Sequence, residues 1–553
     1  MRPRSESVTS ILLDSIDNDF GAFYQGLALD DRIFVKKQIS HFPNEIQKLL
    51  IERYRAFKTL FDANTFLRKQ TEILNNLLPQ KIIPHFNAGE EELRNLAEAN
   101  AKRCSHIQIR AQLSKQPCNV TEIDSVKGLN DIYALIVEFV NGYGIAAQKI
   151  SKTVTLTGVI KRTQDKYWWL RKLRKVLVRK KEEALIRLGQ VNSKKGKYCS
   201  DLNVKHRKAQ KERQLKAMEE LFITNEDKES FSLREIYEKN VSNPINRRHE
   251  LMTRLAGCEE LAKSLDCDGV FVTLTCPSKY HNTYARSGDR NPNWQGLTPY
   301  DGQQYLNTVW QRIRAELARQ NINIFGFRIA EPQHDGTPHW HMIIFIHSEQ
   351  KSEFKDVINH YALQEDGDEE GAKENRVDFV DIDPSKGSAT GYVAKYISKN
   401  IDGGNLDSDI DGGNAPEAAN RVEAWASCWG VRQFQQIGGV SVTVWRELRK
   451  AQKIEKIDDD LVDIHSAADS GNWAKFTELM GGVFCKRNSQ AIRPFYDIEM
   501  NKETGLIKTS WFDGLFTFKL KGIKYKGNEI ITRIHTWILG KAGTAFMPSL
   551  GVL

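Results

Sequence analysis

The segment Ile329-Ala330-Glu331-Pro332-Gln333-His334-Asp335-Gly336-Thr337-Pro338-His339-Trp340-His341 sets two imidazoles one residue apart, at the mouth of the apolar run Met342–Ile346. On a β-strand, positions two apart project from the same face. His339 and His341 can therefore aim at one point while Trp340 turns into the opposite layer. Asp335-Gly336 occupies the place of a tight hairpin turn, which would fold the strand carrying Glu331 back beside the histidines. Two neutral imidazoles and one carboxylate make a three-ligand site for a divalent metal with coordination positions left open, as a catalytic ion needs. His334 and Asp335 are the rival third ligands, should the hairpin turn earlier. Gln333 and Arg328 stand where they could line a groove or make ordinary sheet contacts.

A second group lies downstream. Gly391-Tyr392-Val393-Ala394-Lys395-Tyr396-Ile397-Ser398-Lys399-Asn400 reads as a short helix, with Ser388 or Thr390 available to cap it. Tyr392 and Tyr396 are four apart, so both phenols share a helical face, and Lys395 and Lys399 form a second such pair beside them, suited to phosphate. A tyrosine pair at this spacing is more often core packing. Its arrival in one small module with the metal hairpin favours chemistry.

Together these motifs resemble the His-hydrophobe-His (HUH) endonucleases that initiate rolling-circle DNA replication. Within them the chain is most similar to the replication gene A proteins of temperate tailed phages. A further match runs from Ala424-Trp425 through Trp429-Gly430 to Trp445-Arg446-Glu447-Leu448-Arg449, and the specific resemblance spans roughly residues 270 to 449. It implies Tyr392 and Tyr396 as nucleophiles, with Mg²⁺ or Mn²⁺ held by Glu331, His339 and His341. Lys395, Lys399, Arg328 and Gln333 would contact DNA. Attack by tyrosine would leave a 5′-phosphotyrosine and a free 3′-hydroxyl able to prime a polymerase. Two tyrosines would let one hold the displaced end while the other cuts the regenerated origin. A plasmid relaxase or tyrosine transposase is the alternative within the superfamily, and the match after Asn400 argues against it. A DNA-binding initiator with a structural metal and no cleavage is the alternative from another class.

The elements that must position these residues follow from periodicity. Val270–Thr275 is a strand ended by Pro277, and Tyr300–Gln320 a helix with Leu306, Val309, Trp310, Ile313 and Leu317 on one side. Asn323–Glu331 and His339–His347 are paired strands, Lys351–Leu363 a helix, Val377–Ile382 a strand, and Ala389–Asn400 the tyrosine helix. The order β-α-β-β-α-β is that of a ferredoxin-like split unit, and the resemblance implies its closure into one antiparallel sheet with a face free for metal and DNA. The fold class is thus α+β: an HUH nuclease core at residues 256–450, a mainly helical N-terminal region at 1–255, and a small C-terminal domain of unknown task at 451–553. An Asp/Gly-rich tract, Ile401-Asp402-Gly403-Gly404-Asn405 repeated at Ile410–Asn414, reads as a flexible loop after the tyrosine helix.

Composition is permissive. The 553 residues exceed one core, and roughly two to four domains are expected. The excess of Lys+Arg (80) over Asp+Glu (71) gives +9 and suits a polyanion without proving one. Residues 161–181 carry ten basic side chains against only Asp165, beside Tyr167, Trp168 and Trp169. A helix here could lie along a DNA backbone and stack an aromatic on a base. A second basic run to Lys216 reads as an exposed helix or arm. The eight cysteines have no paired spacing and read as reduced thiols, and Cys258, Cys267 and Cys276 do not suggest zinc. No apolar signal core or membrane span stands out, so a cytoplasmic protein is expected, and the resemblance implies a bacterial host cell. The chain has no phosphate-binding loop of the ATPase type, so strand separation would fall to a host helicase.

Overall fold

A computed structural model describes residues 20–113, 122–151, 153–383, 385, 387–404, 414–451, 458–500, 507–512 and 514–541. The chain divides into two compact units, 1–184 and 185–553. Residues 185–255, expected with the N-terminal region, fall in the second unit.

The first unit is helical. Its described helices include Leu29–Ile39, Asn44–Arg55, Leu60–Asn76, Glu90–Leu113, Glu122–Asn141 and Leu156–Thr163. The basic segment forms most of a helix at Lys166–Arg187, whose apolar stripe buries Trp169, Leu173 and Leu177. Trp169 is fully buried, edge-on to Tyr143, and its indole N–H donates to the Thr163 carbonyl at 2.7 Å. Trp168 is buried too, so neither indole is free to stack on a base; Tyr167 is the exposed aromatic.

The second unit is built on a five-stranded antiparallel sheet. Its strands are β1 (Cys267–Leu274), β2 (Phe325–Pro332), β3 (Pro338–His347), β4 (Val377–Asp381) and β5 (Phe434–Ile437), in the order β4-β1-β3-β2-β5. Helices α1 (Pro244–Ser264), α2 (Pro299–Arg319), α3 (Lys351–Ala362), α4 (Ala389–Ile401), α5 (Ala415–Trp429) and α6 (Val442–Leu448) surround it. The expected alternation of strands and helices from Val270 to Asn400 is present, and the fold is α+β. Local chemistry sets the boundaries. Thr298 and Asp301 form a capping box ahead of Pro299 at the start of α2, and Ser388 caps α4 by accepting from the Gly391 N–H.

Alternation along β3 sends residues to two layers. Trp340 faces α2, and its indole N–H donates to Gln303 Oε1 at 3.2 Å. His341, Ile343 and Phe345 face the other way. That second face was expected to stand free, and the structure corrects this. Its apolar part is covered by α1 and α4, through Leu251, Leu255, Cys258, Val393 and Ile397, in a core shared with Phe271, Phe327 and Ile343. An uncovered face carrying so many Phe and Ile side chains would leave a large apolar area in water.

Described residues of the C-terminal segment pack against the sheet. Leu461, Ile464, Trp473, Phe476, Ile492 and Ile523 join the same core. Trp473 lies so close to Gly257 of α1 that a Cβ there would sit 2.7 Å from the Trp473 Cβ. Glycine at that position lets the indole seat against the helix backbone. The second basic run forms the helix Asp201–Glu220, which docks on α5 through Arg207 and Lys211 to Glu423 at 2.9 and 2.8 Å. The Asp/Gly-rich tract beyond Gly404 lies outside the described residues up to Asn414. Among the described residues, no helix is long and apolar enough to cross a membrane.

Candidate metal centre and tyrosine helix

The β2–β3 hairpin pairs Glu331 directly opposite His339 and Ile329 opposite His341. Residues 333–337 make the turn, with Gly336 at φ +85°, where a side chain would be strained and its Cβ would approach the Tyr198 carbonyl to 2.8 Å. Glu331 Oε2 lies 3.7 Å from His339 Nε2 and 3.6 Å from His341 Nε2. One ligand atom from each of the three residues falls within 4.8 Å of the others, the separation that a common ion would bridge. The donor set fits a divalent metal.

The rival ligands point elsewhere. His334 Nε2 is 2.9 Å from the Thr283 carbonyl, and the fully buried Asp335 carboxylate accepts the Asn282 and Thr337 backbone N–H groups, each at 3.0 Å. Asp335 therefore pins the hairpin turn to the loop after β1. His281 beside it, against the cost of burial, holds its carboxyl down at about 2. Cys258 and Cys276 are buried and Cys267 is half-buried on β1; among the described residues the cysteines are free thiols.

The electrostatics suit metal binding. Burial, and then the neighbouring His339, hold the His341 imidazole at about 3, so it is neutral at ordinary pH and keeps a lone pair. Its Nδ1 lies 3.1 Å from the Thr273 hydroxyl, leaving Nε2 to face Glu331. Burial opposes the charge on Glu331, yet Lys399 and the two imidazoles hold the carboxyl near 2. The carboxylate is 1% exposed, and His339, at 19% for its side chain, is the member of the triad that water can reach.

The tyrosine helix lies against this site, with both phenols on one helical face. The Tyr396 ring lies 4.5 Å from that of His341, and Tyr392 one turn back is 6.2 Å from Tyr396. Both rings rest on Phe271 of β1, at 4.8 and 5.2 Å. Burial, and then Tyr392, push the Tyr396 phenol well above its ordinary value. Lys395 Nζ sits 5.0 and 5.1 Å from the two ring centres, a cation shared by both. At the start of α4, Glu259 of α1 accepts the Ala389 and Thr390 N–H groups at 3.2 and 2.9 Å and the Thr390 hydroxyl at 2.6 Å.

Two expected DNA contacts are placed differently. Lys399 is buried, its Nζ 3.5 Å from Glu331 Oε2 and 5.4 Å from the Tyr198 ring, so it serves as an internal counter-charge. Arg328 is 3% exposed and points to the opposite face of the sheet, where its guanidinium lies 4.1 Å over Trp340 and donates to the Arg432 carbonyl at 2.7 Å. It cannot line a groove beside the triad, because Arg328 and Glu331 differ by an odd number of strand positions. Gln333 is half-buried at the hairpin turn.

Residues 92–404 match the family model described as bacteriophage replication gene A protein. The chain belongs to the phage replication gene A protein family. The match begins well before β1, crossing the basic helix of the first unit, and ends just after α4. The replication gene A protein of Escherichia phage 186 is 41% identical over 392 residues, covering 68% of this chain and 55% of its own. Similar in degree is the probable replication protein P12 of Pseudoalteromonas phage PM2, 41% identical over 395 residues, 70% of this chain and 60% of that one. A probable replication endonuclease from a prophage-like region of Salmonella paratyphi A is 33% identical over 348 residues, 60% of this chain and 43% of its own. The chain thus spans about half the length of these curated relatives. No solved structure matches.

Thr273, Asn400 and Tyr198 are site residues that the sequence motifs did not single out. Thr273, two positions from Phe271, shares the triad's face of β1. Asn400 continues the stripe 392-396-400 down α4, a signal that was present in the spacing.

Proposed function

We propose that this gene A family protein is a site-specific single-strand DNA endonuclease and strand-joining enzyme that nicks a phage replication origin through Tyr392 or Tyr396. The observation that carries the reading is the approach of the Tyr396 ring to 4.5 Å from His341, within the triad of Glu331, His339 and His341. The β-α-β-β-α-β order and the strand order β4-β1-β3-β2 support an HUH nuclease core of ferredoxin-like type. The relatives' names, replication gene A protein and probable replication endonuclease, support DNA as the partner.

In this reading Glu331, His339 and His341 would hold Mg²⁺ or Mn²⁺, which when bound polarises the scissile phosphate. Three ligands leave open positions, which favours a catalytic over a closed structural ion. The chain's own groups do the rest. A tyrosine Oη attacks phosphorus as the P–O3′ bond breaks; the phenol proton leaves and the 3′-oxygen gains one. A 5′-phosphotyrosine and a 3′-hydroxyl result. Lys395, placed beside both rings, favours the phenolate that forms on losing that proton. The 3′-hydroxyl would prime a host polymerase behind a host helicase, in the cytoplasm of the infected cell. Because the phosphodiester energy stays in the tyrosine link, rejoining needs no nucleotide.

The test is incubation with supercoiled origin DNA and Mg²⁺. Relaxed circles carrying protein, with the adduct mapped to a peptide containing Tyr392 and Tyr396, are expected. Binding without any break under several metals would instead establish a non-cleaving initiator.

A further inference from the structure

The most deeply buried polar side chain on the tyrosine helix is neither tyrosine nor lysine. Asn400, in the last turn of α4, is 1% exposed. Its amide nitrogen uses both hydrogens: one goes to Glu331 Oε1, the other to the Tyr396 carbonyl at 2.7 Å. Its backbone carbonyl accepts from Gln433 Nε2 at 3.1 Å. The side-chain Oδ1 has no partner although it is buried. A bond back to the carbonyl four residues earlier is ordinary for asparagine near a helix end. That habit explains neither the second hydrogen nor the stranded oxygen, and a buried acceptor without a partner is a cost that folds rarely keep for packing alone.

The two oxygens of Glu331 are consequently divided. Asn400 takes Oε1. Oε2 is left facing His339 Nε2, His341 Nε2 and Lys399 Nζ at 3.7, 3.6 and 3.5 Å. The carboxylate cannot rotate out of this arrangement without breaking the hydrogen bond that Asn400 Nδ2 donates to Oε1. The groups that fix it, Lys399 and Asn400, belong to the helix that carries Tyr396.

We propose that Asn400 is a positioning residue: it holds Glu331 so that Oε2 is presented to the metal, and thereby ties ion occupancy to the order of the tyrosine helix. This role presupposes the reading of the triad as a metal site and goes beyond it, because it makes α4 sense the ion before any DNA arrives. Partners that orient a ligating carboxylate are worth about 10- to 100-fold in metal affinity.

The experiment uses the full chain without DNA and reads Mn²⁺ binding by calorimetry or electron paramagnetic resonance. Asn400→Leu, close in volume and unable to donate, is expected to weaken Mn²⁺ by about 10- to 100-fold. In a Glu331→Gln background the same change should weaken it no further, whereas a general loosening of the fold would act on both backgrounds alike. Hydrogen exchange supplies the second readout. Saturating Mn²⁺ should slow exchange across residues 389–401 in the wild type and fail to do so in Asn400→Leu. Unchanged Mn²⁺ affinity, equal losses on both backgrounds, or full protection of α4 in the saturated variant would each overturn the proposal. Should Asn400→Leu not fold, Asn400→Ser, too short to reach Oε1, carries the same expectations. A wild-type chain that binds no Mn²⁺ overturns the metal reading and this role together. Mn²⁺ binding with no DNA adduct would sink the nuclease reading and leave Asn400's role standing.

Discussion

The two faces of β3 differ in what they do with burial. Trp340 and His341 are neighbours in sequence, and both are nearly inaccessible. On the Trp340 side the polar groups are few: an indole N–H answered by Gln303, and the Arg328 guanidinium stacked on the ring. On the His341 side Glu331, His339, Lys399 and Asn400 crowd within one small volume, with Thr273 behind His341. Low exposure is common to both faces and identifies neither. The distinguishing mark is convergence of titratable groups whose charges need one another, which is costly for stability and is retained where chemistry needs it.

The sharpest way to break this contrast is at the nucleophiles. Tyr392→Phe combined with Tyr396→Phe should abolish the covalent DNA adduct while binding persists; a surviving adduct would place the nucleophile elsewhere. His341→Ala should reduce cleavage by at least about 100-fold and lower Mn²⁺ affinity with it, and a rate indifferent to both this change and EDTA would end the metal role.

On the other face the effect should fall on stability. Trp340→Ala removes a fully buried indole and is expected to cost about 3–5 kcal/mol, read by denaturant unfolding, with the triad's Mn²⁺ affinity kept in the folded fraction. A loss of metal binding with little loss of stability would dissolve the distinction between the faces.

Acid titration gives a smaller effect of fixed sign. His341 is held at about 3 in the fold, below its ordinary value of about 6.5. Between those values the unfolded chain binds the proton and the folded one does not, so stability in chelator should fall as pH drops through that window. Glu331, held near 2, adds a further loss below about 4. His341→Gln should flatten the first part of the profile, and an unaltered slope would mean the imidazole is not buried neutral.

The smallest effect is expected at Arg328. Burial, and then Arg432, lower its guanidinium to about 10, and its Nε has no partner. Arg328→Met should leave DNA binding and its salt dependence unchanged and alter stability by less than about 1.5 kcal/mol. A reduced salt slope would return this side chain to the DNA groove.

How much of this was legible follows from which signals are local. Period-two alternation put His339 and His341 on one face, the Asp335-Gly336 turn folded Glu331 back beside them, and period-3.6 spacing joined Tyr392 to Tyr396, because all three depend on local backbone geometry. The same alternation could have separated Arg328 from Glu331. What covers a face is a long-range fact. Nothing near β3 in sequence announces that Leu251 and Leu255 of α1 close over it, or that Trp473 and Phe476 from beyond residue 451 enter the same core. Lys399 was misplaced for a related reason: a lysine beside tyrosines reads as a phosphate contact until the buried carboxylate it neutralises is located. Trp168 and Trp169 show the limit of aromatic-plus-basic composition, since both indoles are buried within a basic segment while Tyr167 is exposed.

Helix α4 is gripped by the Glu259 carboxylate where it begins and by the amide of Asn400 where it finishes. A bar clamped at both ends does not swing. If two phenols hand a cut strand from one to the other, the travelling party is the nucleic acid, threaded past a stationary pair of hydroxyls, and the throw of that exchange is set by a single helical turn.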